Sequence, residues 1–487
     1  MKSTLRLRPA LLALATVAGL LLAAAGSYVQ SSPGRTAPAP DNKGQLIVHE
    51  WGTFLSVQGS DGSTQGGMVD SDELLPPFVE MRTVAAWKRS LFREKGETPV
   101  TYFYTDRPRV VQVKVDMPEG VLTHWYPSVC RFGPSPLEKT ALPRNSYLDW
   151  CNVTLIPPDS AQSKTAIRTE TIATRKGQVF TGIVGTETAT SVELITGGGH
   201  RRFLAKKDIQ ERAANKQSEI SKPVLLPVAT EQTWKYVRDT DSAFVKIDAR
   251  KDNGERATQF EKFLFYRGLG TFSMPVEVHS AEGTDGLTLR LHNSSNDALR
   301  GLFAVNVEKD KIQFARLDDL AAQGILEVNL TPRFTSPESF EQGVPQVKAA
   351  VASVLIEAGL YAKEAQAMVN TWERSYFKTQ GLRLLYLVPR QRVDAVIPIH
   401  IKPAPDKLVR VMVGRIEVLT PARERQIAKY VADLGADNFR IRETATANLE
   451  GLGRLTEPSL RRVLQSSADP EVRSRAQSLI ERMSAGK

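Results

Sequence analysis

Four residues carry the side chains from which a reaction could be assembled: His49, Glu50, His124 and Arg267. His49 and Glu50 are adjacent in the run His49-Glu50-Trp51-Gly52-Thr53-Phe54. An imidazole and a carboxylate can act as base and acid, and either can ligate a metal. Their adjacency works against a shared task. Side chains alternate between faces along an extended strand, so His49 points with Ile47, Trp51, Thr53, Leu55 and Val57. Glu50 points the other way, with Val48, Gly52, Phe54 and Ser56. The two could hold one ion only if the strand kinked, and Gly52 marks where a bulge would sit. The competing reading is structural: a core histidine hydrogen-bonded to backbone, and a carboxylate paired with an arginine, for which Arg267 is the candidate.

The two cysteines, Cys130 and Cys151, offer a second kind of chemistry. In an exported protein they would form a disulfide, closing a loop that holds Pro134, Pro136 and Pro143. Two separate buried thiols are the alternative. Two cysteines fall short of the four ligands of a structural zinc site, and Cys-x-x-Cys-His is absent. So are a Gly-x-Ser-x-Gly elbow, a phosphate-cradling glycine loop and a His-Glu-x-x-His pair. Six histidines spread over 487 residues do not make a His-rich centre. No cofactor and no metal are expected on these grounds.

These residues need elements to hold them. Both faces of 45–57 carry large apolar groups, so that stretch is expected to be a strand buried on both sides. Segments 100–104, 109–115, 121–126 and 149–156 are β-branched or aromatic and separated by turn residues. In the third of them His124 and Tyr126 share a face, with Trp125 opposite. Residues 60–77 read as an acidic loop and 78–93 as holding a short helix. Segment 262–267 is again apolar on both faces. A second set of strands is expected at 276–278, 287–292, 302–307, 311–317 and 326–330. Helices follow at 344–358, with Pro345 near the start and Gly359 just past the end, and at 363–378. Strands return at 382–388, 393–401 and 408–419. Beyond Pro421 the apolar period is helical, with helices at 426–434, 439–452, 458–465 and 470–483.

Three stretches resemble known families. The His49–Phe54 run, Thr98-Pro99-Val100-Thr101-Tyr102-Phe103-Tyr104, Asp106-Arg107-Pro108, Trp125-Tyr126-Pro127, the stretch Glu261 to Gly270, Ala367-Met368-Val369 with Thr371-Trp372, and Val413-Gly414-Arg415-Ile416-Glu417 resemble a family of exported bacterial proteins with a His-Glu-Trp-Gly-Thr-Phe motif. That resemblance spans roughly 46–421 and implies export but no particular reaction. Between 160 and 222 eleven Lys or Arg face six Asp or Glu. Short strands at 178–184, 191–195 and 200–205, a Gly197-Gly198-Gly199 turn and Lys207-Asp208-Ile209-Gln210-Glu211-Arg212 resemble a small Sm-like β-barrel. This implies a small barrel insert, structural by default, although such barrels also bind peptides or nucleic acids. In the tail, Ile441-Arg442-x-x-Ala445 recurs 31 residues later as Val472-Arg473-x-x-Ala476. The pair resembles HEAT-type repeats, which implies a protein-binding surface. Two repeats are few for independent stability, so the tail should lean on the body.

The expected fold class is therefore mainly β with α. An antiparallel β-sandwich-like body spans 45–159 and 229–420, with a helical pair at 344–378. A basic small β-barrel insert occupies 160–228, and α-helical HEAT-like repeats occupy 421–484. Residues 1–27 read as an export signal: Lys2, Arg6 and Arg8, then an apolar run ending in Ala23-Ala24-Ala25. An uncleaved anchor is the alternative and the only expected route to a membrane. Residues 28–44 form a linker with Pro33, Pro38 and Pro40. The formal charge of +10 suits an anionic surface or polysaccharide. No arginine-rich tract with interleaved aromatics supports nucleic acid. Expectation favours an exported scaffold or binding protein of the periplasm or cell envelope, or a secreted one, meeting an envelope protein through its helical tail. The alternative is an exported enzyme, a metal-dependent hydrolase for example, with a site near His49, Glu50, His124 and Arg267.

Overall fold

The structure, a computed structural model, describes residues 43–67, 75–82, 91–134, 144–158, 169–196, 201–214, 223–229, 233–250 and 256–484. The export signal, most of the linker, most of the helix expected at 78–93 and the triple-glycine turn lie outside those residues. Before the insert run β1 (Ile47–Gln58), β2 (Thr64–Gln65), β3 (Glu80–Met81), β4 (Glu94–Tyr104), β5 (Arg109–Met117), β6 (Gly120–Tyr126), β7 (Arg131–Gly133) and β8 (Ser146–Ile156). The insert supplies β9 (Thr169–Thr174), β10 (Val179–Glu187), β11 (Ser191–Thr196), β12 (Arg201–Ala205) and β13 (Ile209–Ala214). After it come helix α1 (Trp234–Val237), β14 (Phe244–Arg250), β15 (Arg256–Glu261), β16 (Leu264–Gly270), β17 (Val276–Gly283), β18 (Gly286–Asn293), β19 (Arg300–Glu308), β20 (Lys311–Arg316), β21 (Ile325–Asn329) and β22 (Glu338–Ser339). Helices α2 (Phe340–Glu357), α3 (Ala362–Thr371) and α4 (Glu373–Phe377) lead to β23 (Gly381–Leu387), α5 (Arg390–Val396), β24 (Ile399–Lys402) and β25 (Lys407–Val418). The tail is α6 (Pro421–Asp433), α7 (Phe439–Leu452), α8 (Glu457–Ser466) and α9 (Pro470–Ser484).

The main sheet has the order β22-β20-β19-β23-β25-β1-β4-β16-β6-β3, with β2 beside β1. Strand β1 lies at its centre and is buried along all 12 residues. It pairs parallel with β25 and antiparallel with β4. A second sheet, β15-β14-β8-β5-β24 with β7 beside β8, and a third, β17-β18-β21, pack on one face of it. There Val48, Phe54, Val113, Trp150, Val278 and Leu291 share one core. The other face is covered by α1 to α4, around Trp51, Tyr102, Phe265, Val347, Met368 and Trp372. The body is thus mainly β and sandwich-like, with helices over the second face. Each fully buried Leu, Val or Phe in these layers contributes about 1.5–3 kcal/mol. Among the described residues no helix is long and apolar enough to cross a membrane.

Strands from either side of the insert share sheets. Strand β16 lies between β4 and β6, and β14 pairs with β8. The insert is a five-stranded antiparallel sheet in the order β12-β11-β10-β9-β13 around Ile172, Val192 and Leu194. Among the described residues no ladder joins its two edges, so the expected barrel is not closed. The tail packs its own core of Leu434, Leu449, Leu460 and Leu479 against Leu55 and Val57 of β1 and Leu419 after β25. Leaning on the body is thus what these helices do.

Three further expectations change. The strand expected at 393–401 is helix α5 followed by the short β24. Val393, Val396 and Ile397 follow helical spacing and bury one side in the core. The helix expected at 363–378 is broken in two at Trp372, whose backbone leaves the helical region (φ −96, ψ 11). The helix expected from 344 begins at Phe340, so Pro345 lies inside it.

Candidate functional site

His49 and Glu50 do point to opposite faces, and each ends in a sealed network. The register of β1 on β4 shifts between Trp51 and Thr53, so the bulge at Gly52 exists. A Cβ on Gly52 would lie 2.9 Å from the Pro99 Cα, a contact only glycine tolerates. The bulge comes after both residues and does not turn them together.

On the helix-covered face, His49 Nδ1 lies 2.8 Å from Glu364 Oε2, and both side chains are 0% exposed. A carboxylate only accepts, so the imidazole Nδ1–H donates. The hydroxyl of Tyr104 donates to Glu364 Oε1 at 2.7 Å, and the Tyr361 amide donates to Glu364 Oε2 at 2.7 Å. Glu364 sits in the first turn of α3 and reaches back to cap it. The rings of Tyr361 and Tyr104 enclose the imidazole at 4.3 and 5.4 Å between centroids. Burial, then the nearby Glu364, pushes the Tyr104 phenol well up. The remaining nitrogen, Nε2, is buried and has no partner among the described residues. His49 is thus a core histidine bonded to a carboxylate, not to backbone.

On the opposite face, Glu50 pairs with Arg410, its direct neighbour across the parallel β1–β25 ladder. Arg410 Nε donates to Glu50 Oε2 at 2.5 Å, while Tyr266 and Thr101 hydroxyls donate to Oε1 at 2.6 and 3.2 Å. The same guanidinium reaches Asp394 Oδ1 and the Ile397 carbonyl, each at 2.7 Å. Burial alone would lower the Arg410 pKa, but Glu50, Tyr266 and Asp394 hold it above its ordinary value. The expected partner, Arg267, is not Glu50's partner. Strand β4 separates β16 from β1, and Arg267 stands opposite His124 on β6.

His124 and Arg267 belong instead to a charged stripe that crosses the sheet. It runs through Lys95 and Glu97 on β4, 2.6 Å apart, past Thr53 on β1, to Arg415 and Glu417 on β25 and Arg383 on β23. Arg415 Nε and Arg383 Nε donate to Glu417 Oε1 at 2.6 and 3.2 Å. Thr53 and Tyr376 share a 2.5 Å hydrogen bond beside them. His124 is half-buried, and the stripe's other charged members are buried. Burial, aided by Arg267 and Lys95, pulls the His124 pKa down to about 3. Burial, with Arg454 and Arg267 adding to it against the pull of Glu97, brings Lys95 down to about 8.

The four residues proposed as a site therefore occupy three separate places: His49 beside Glu364, Glu50 beside Arg410, and His124 with Arg267 in the stripe. A shallow cleft of ≈ 470 Å³ lies elsewhere, between α2 and α4, lined by Phe340, Val344, Pro345, Lys348, Glu373 and Lys378. Cys130 and Cys151 are joined, with their Cα atoms 5.9 Å apart. Sequence reasoning missed Glu364, Tyr104 and Arg410, and of the stripe it found only His124 and Arg267. The available signal was charge inside an apolar run: Arg410, Arg415 and Glu417 interrupt a segment long enough for a central strand.

The chain matches no family model and no curated protein. Among solved structures it is similar to the Fcho1 Mu homology domain of Danio rerio with bound Eps15 peptide, at TM-score 0.26 and 6% identity, over 77% of this chain and 94% of that one. A likeness of that size carries no argument about fold or function.

Proposed function

We propose that the chain is a non-enzymatic binding scaffold of the bacterial envelope, exported by its N-terminal signal, whose helical tail meets another envelope protein. The observation that carries this reading is the burial of its reactive groups. His49 and Glu50 are 0% exposed and Arg267 is 3% exposed, so no substrate reaches them. Only His124, which is half-buried, keeps contact with the surface. The first turn of α7 carries two exposed apolar side chains, Phe439 at 60% and Ile441 at 44%. A repeat reading of the tail has support beyond its sequence echo. Arg442 Nη1 donates to the carbonyls of Ala436 and Asp437, and Arg473 Nη1 to those of Ser467 and Ala468. Each arginine thus ties down the loop five and six residues before it. The Cys130–Cys151 bond fits an oxidising compartment.

The test is photo-crosslinking from the exposed side of α7 in intact envelopes. A discrete adduct is expected, lost in the Phe439→Glu/Ile441→Glu variant, while stability stays within about 0.5 kcal/mol, as for most surface changes. Adducts unaffected by the substitutions would remove the tail surface from this reading.

A further inference from the structure

We propose that Cys130 and Cys151, once reduced, form with Asp149 a three-ligand site for a thiophilic divalent cation of the Zn²⁺ or Cd²⁺ type. The placement follows from strand geometry. Asp149 and Cys151 are two apart on β8, so the pleat puts them on one face. Opposite them the register of β5 shifts: Val111 pairs with Val153, and Val113 with Trp150. That bulge lets Trp150 and Val153 both point into the core while Cys151 stays on the outer side. Cys130 arrives just before β7, its amide donating to the Asp149 carbonyl at 2.9 Å. An Asp149 carboxylate oxygen lies within 4.8 Å of both sulfurs, which their own bond holds together, and among the described residues no other group of three metal-capable side chains is this close.

The donor set suits the ion. Thiolates bind zinc at about 2.3 Å and carboxylates at about 2.0–2.2 Å, which puts tetrahedral ligands roughly 3.5–4 Å apart. Releasing the sulfur–sulfur bond lets the sulfurs part to that spacing, and a water takes the fourth position. Two thiolates and a carboxylate exceed a divalent charge by one. Arg131 Nη2, 2.6 Å from Asp149 Oδ2, supplies the compensating cation. Gln112 also touches this carboxylate, at 3.2 Å. The Arg131 side chain is 64% exposed, so its hold on Asp149 is weak enough for a metal to share the carboxylate.

The switch is a thiol–disulfide exchange with a dithiol reductant. A reductant thiolate attacks the exposed Cys130 sulfur and expels the Cys151 thiolate. The second reductant thiol resolves the mixed disulfide, leaving two cysteine thiols and an oxidised reductant. The cation then displaces two protons to solvent. Oxidised, the pair clips β7 to β8; reduced, the same residues hold an ion.

The experiment uses the full chain, reduced with a phosphine, desalted without oxygen and titrated with Cd²⁺. Readouts are thiolate-to-cadmium charge-transfer absorption and metal content after gel filtration. One Cd²⁺ per reduced chain is expected, and none on the oxidised chain. Asp149→Asn should bind about 10-fold more weakly or worse, since even an outer partner of a ligand is worth that much. Because that change touches a buried position, Cys130→Ser at the exposed ligand is the second variant, and it should lose the absorption. No cadmium on the reduced chain, equal affinity in Asp149→Asn, or retained absorption in Cys130→Ser overturns the site. So does loss of the β-sheet circular dichroism on reduction that Cd²⁺ does not restore.

Discussion

Removing the guanidinium from Glu50 tests whether the central strand's charged residues are architecture. Arg410→Met deletes the 2.5 Å bond to Glu50 and the 2.7 Å bonds to Asp394 and the Ile397 carbonyl. Glu50 keeps only the hydroxyls of Tyr266 and Thr101. Both members of the pair are 0% exposed, and a buried carboxylate stripped of its cation costs about 3–5 kcal/mol. The same break at a surface would cost about 0–1 kcal/mol. Adding Glu50→Gln removes the stranded charge while an amide oxygen still accepts from Tyr266. The double variant should therefore regain about 1–3 kcal/mol over Arg410→Met alone, the usual size of coupling between neighbours. Urea unfolding followed by tryptophan fluorescence measures both numbers. An Arg410→Met cost below about 1 kcal/mol, or a double variant no better than the single one, would refute the argument, since Glu50 would then have to be hydrated.

His124 sets a pH dependence. Its folded pKa, about 3, lies below the ordinary 6.5, so the unfolded chain takes up the proton first. The stabilisation is complete above about pH 6.5 and falls as pH drops toward 3. Thermal melts should show a shallower acid slope for His124→Gln, and identical slopes would contradict the burial argument. Cys130→Ser/Cys151→Ser should lose about 3 kcal/mol in the same urea assay, from the closed loop of 21-residue separation; a change near zero would mean the loop is ordered without its clip. Leu449→Ala, in the tail core where Leu449 is 0% exposed, should cost about 2–5 kcal/mol. Hydrogen exchange should show loosening in α6 to α9 and at the end of β1 together, and protection lost in the tail alone would separate the two.

What could be read from the sequence was what repeats locally. Strand β1 announced itself by large apolar groups at both parities, and the alternation placed His49 and Glu50 on opposite faces. The tail announced itself by a short echo, and the two arginines of that echo make matching bonds to their loops. What could not be read depended on long-range register. Glu50 meets Arg410 through a parallel ladder closed 360 positions away, and nothing near either residue fixes that pairing. Arg267 looked like a partner because it sits in a strand buried on both sides, yet β4 stands between. Segment 393–401 failed for a different reason. A short apolar run with Val and Ile fits strand or helix. The arbiter was burial: Val393, Val396 and Ile397, at helical spacing, pack one side of α5 into the core.

The charged stripe borders the apolar seat that joins the tail to the body. Along the odd positions of β1, Trp51 faces the helical layer, while Leu55 and Val57 face the tail. Between them Thr53 lies level with Glu97, where the charges cross the sheet. Leu55, Val57 and Leu419 form an apolar seat, and apolar contact is non-directional; alone it would accept the tail in several registers. Buried charges are poor stabilisers but intolerant of mismatch. Arg454 stands close enough to Lys95 to lower its pKa, and Leu455 packs where a Cβ on Gly381 would be 2.6 Å from it. A tail shifted by one turn would lose the fit of Leu455 against Gly381 and change the distance from Arg454 to Lys95. The hydrophobic seat holds the tail, and the charged row runs beside it at Arg454 and Lys95.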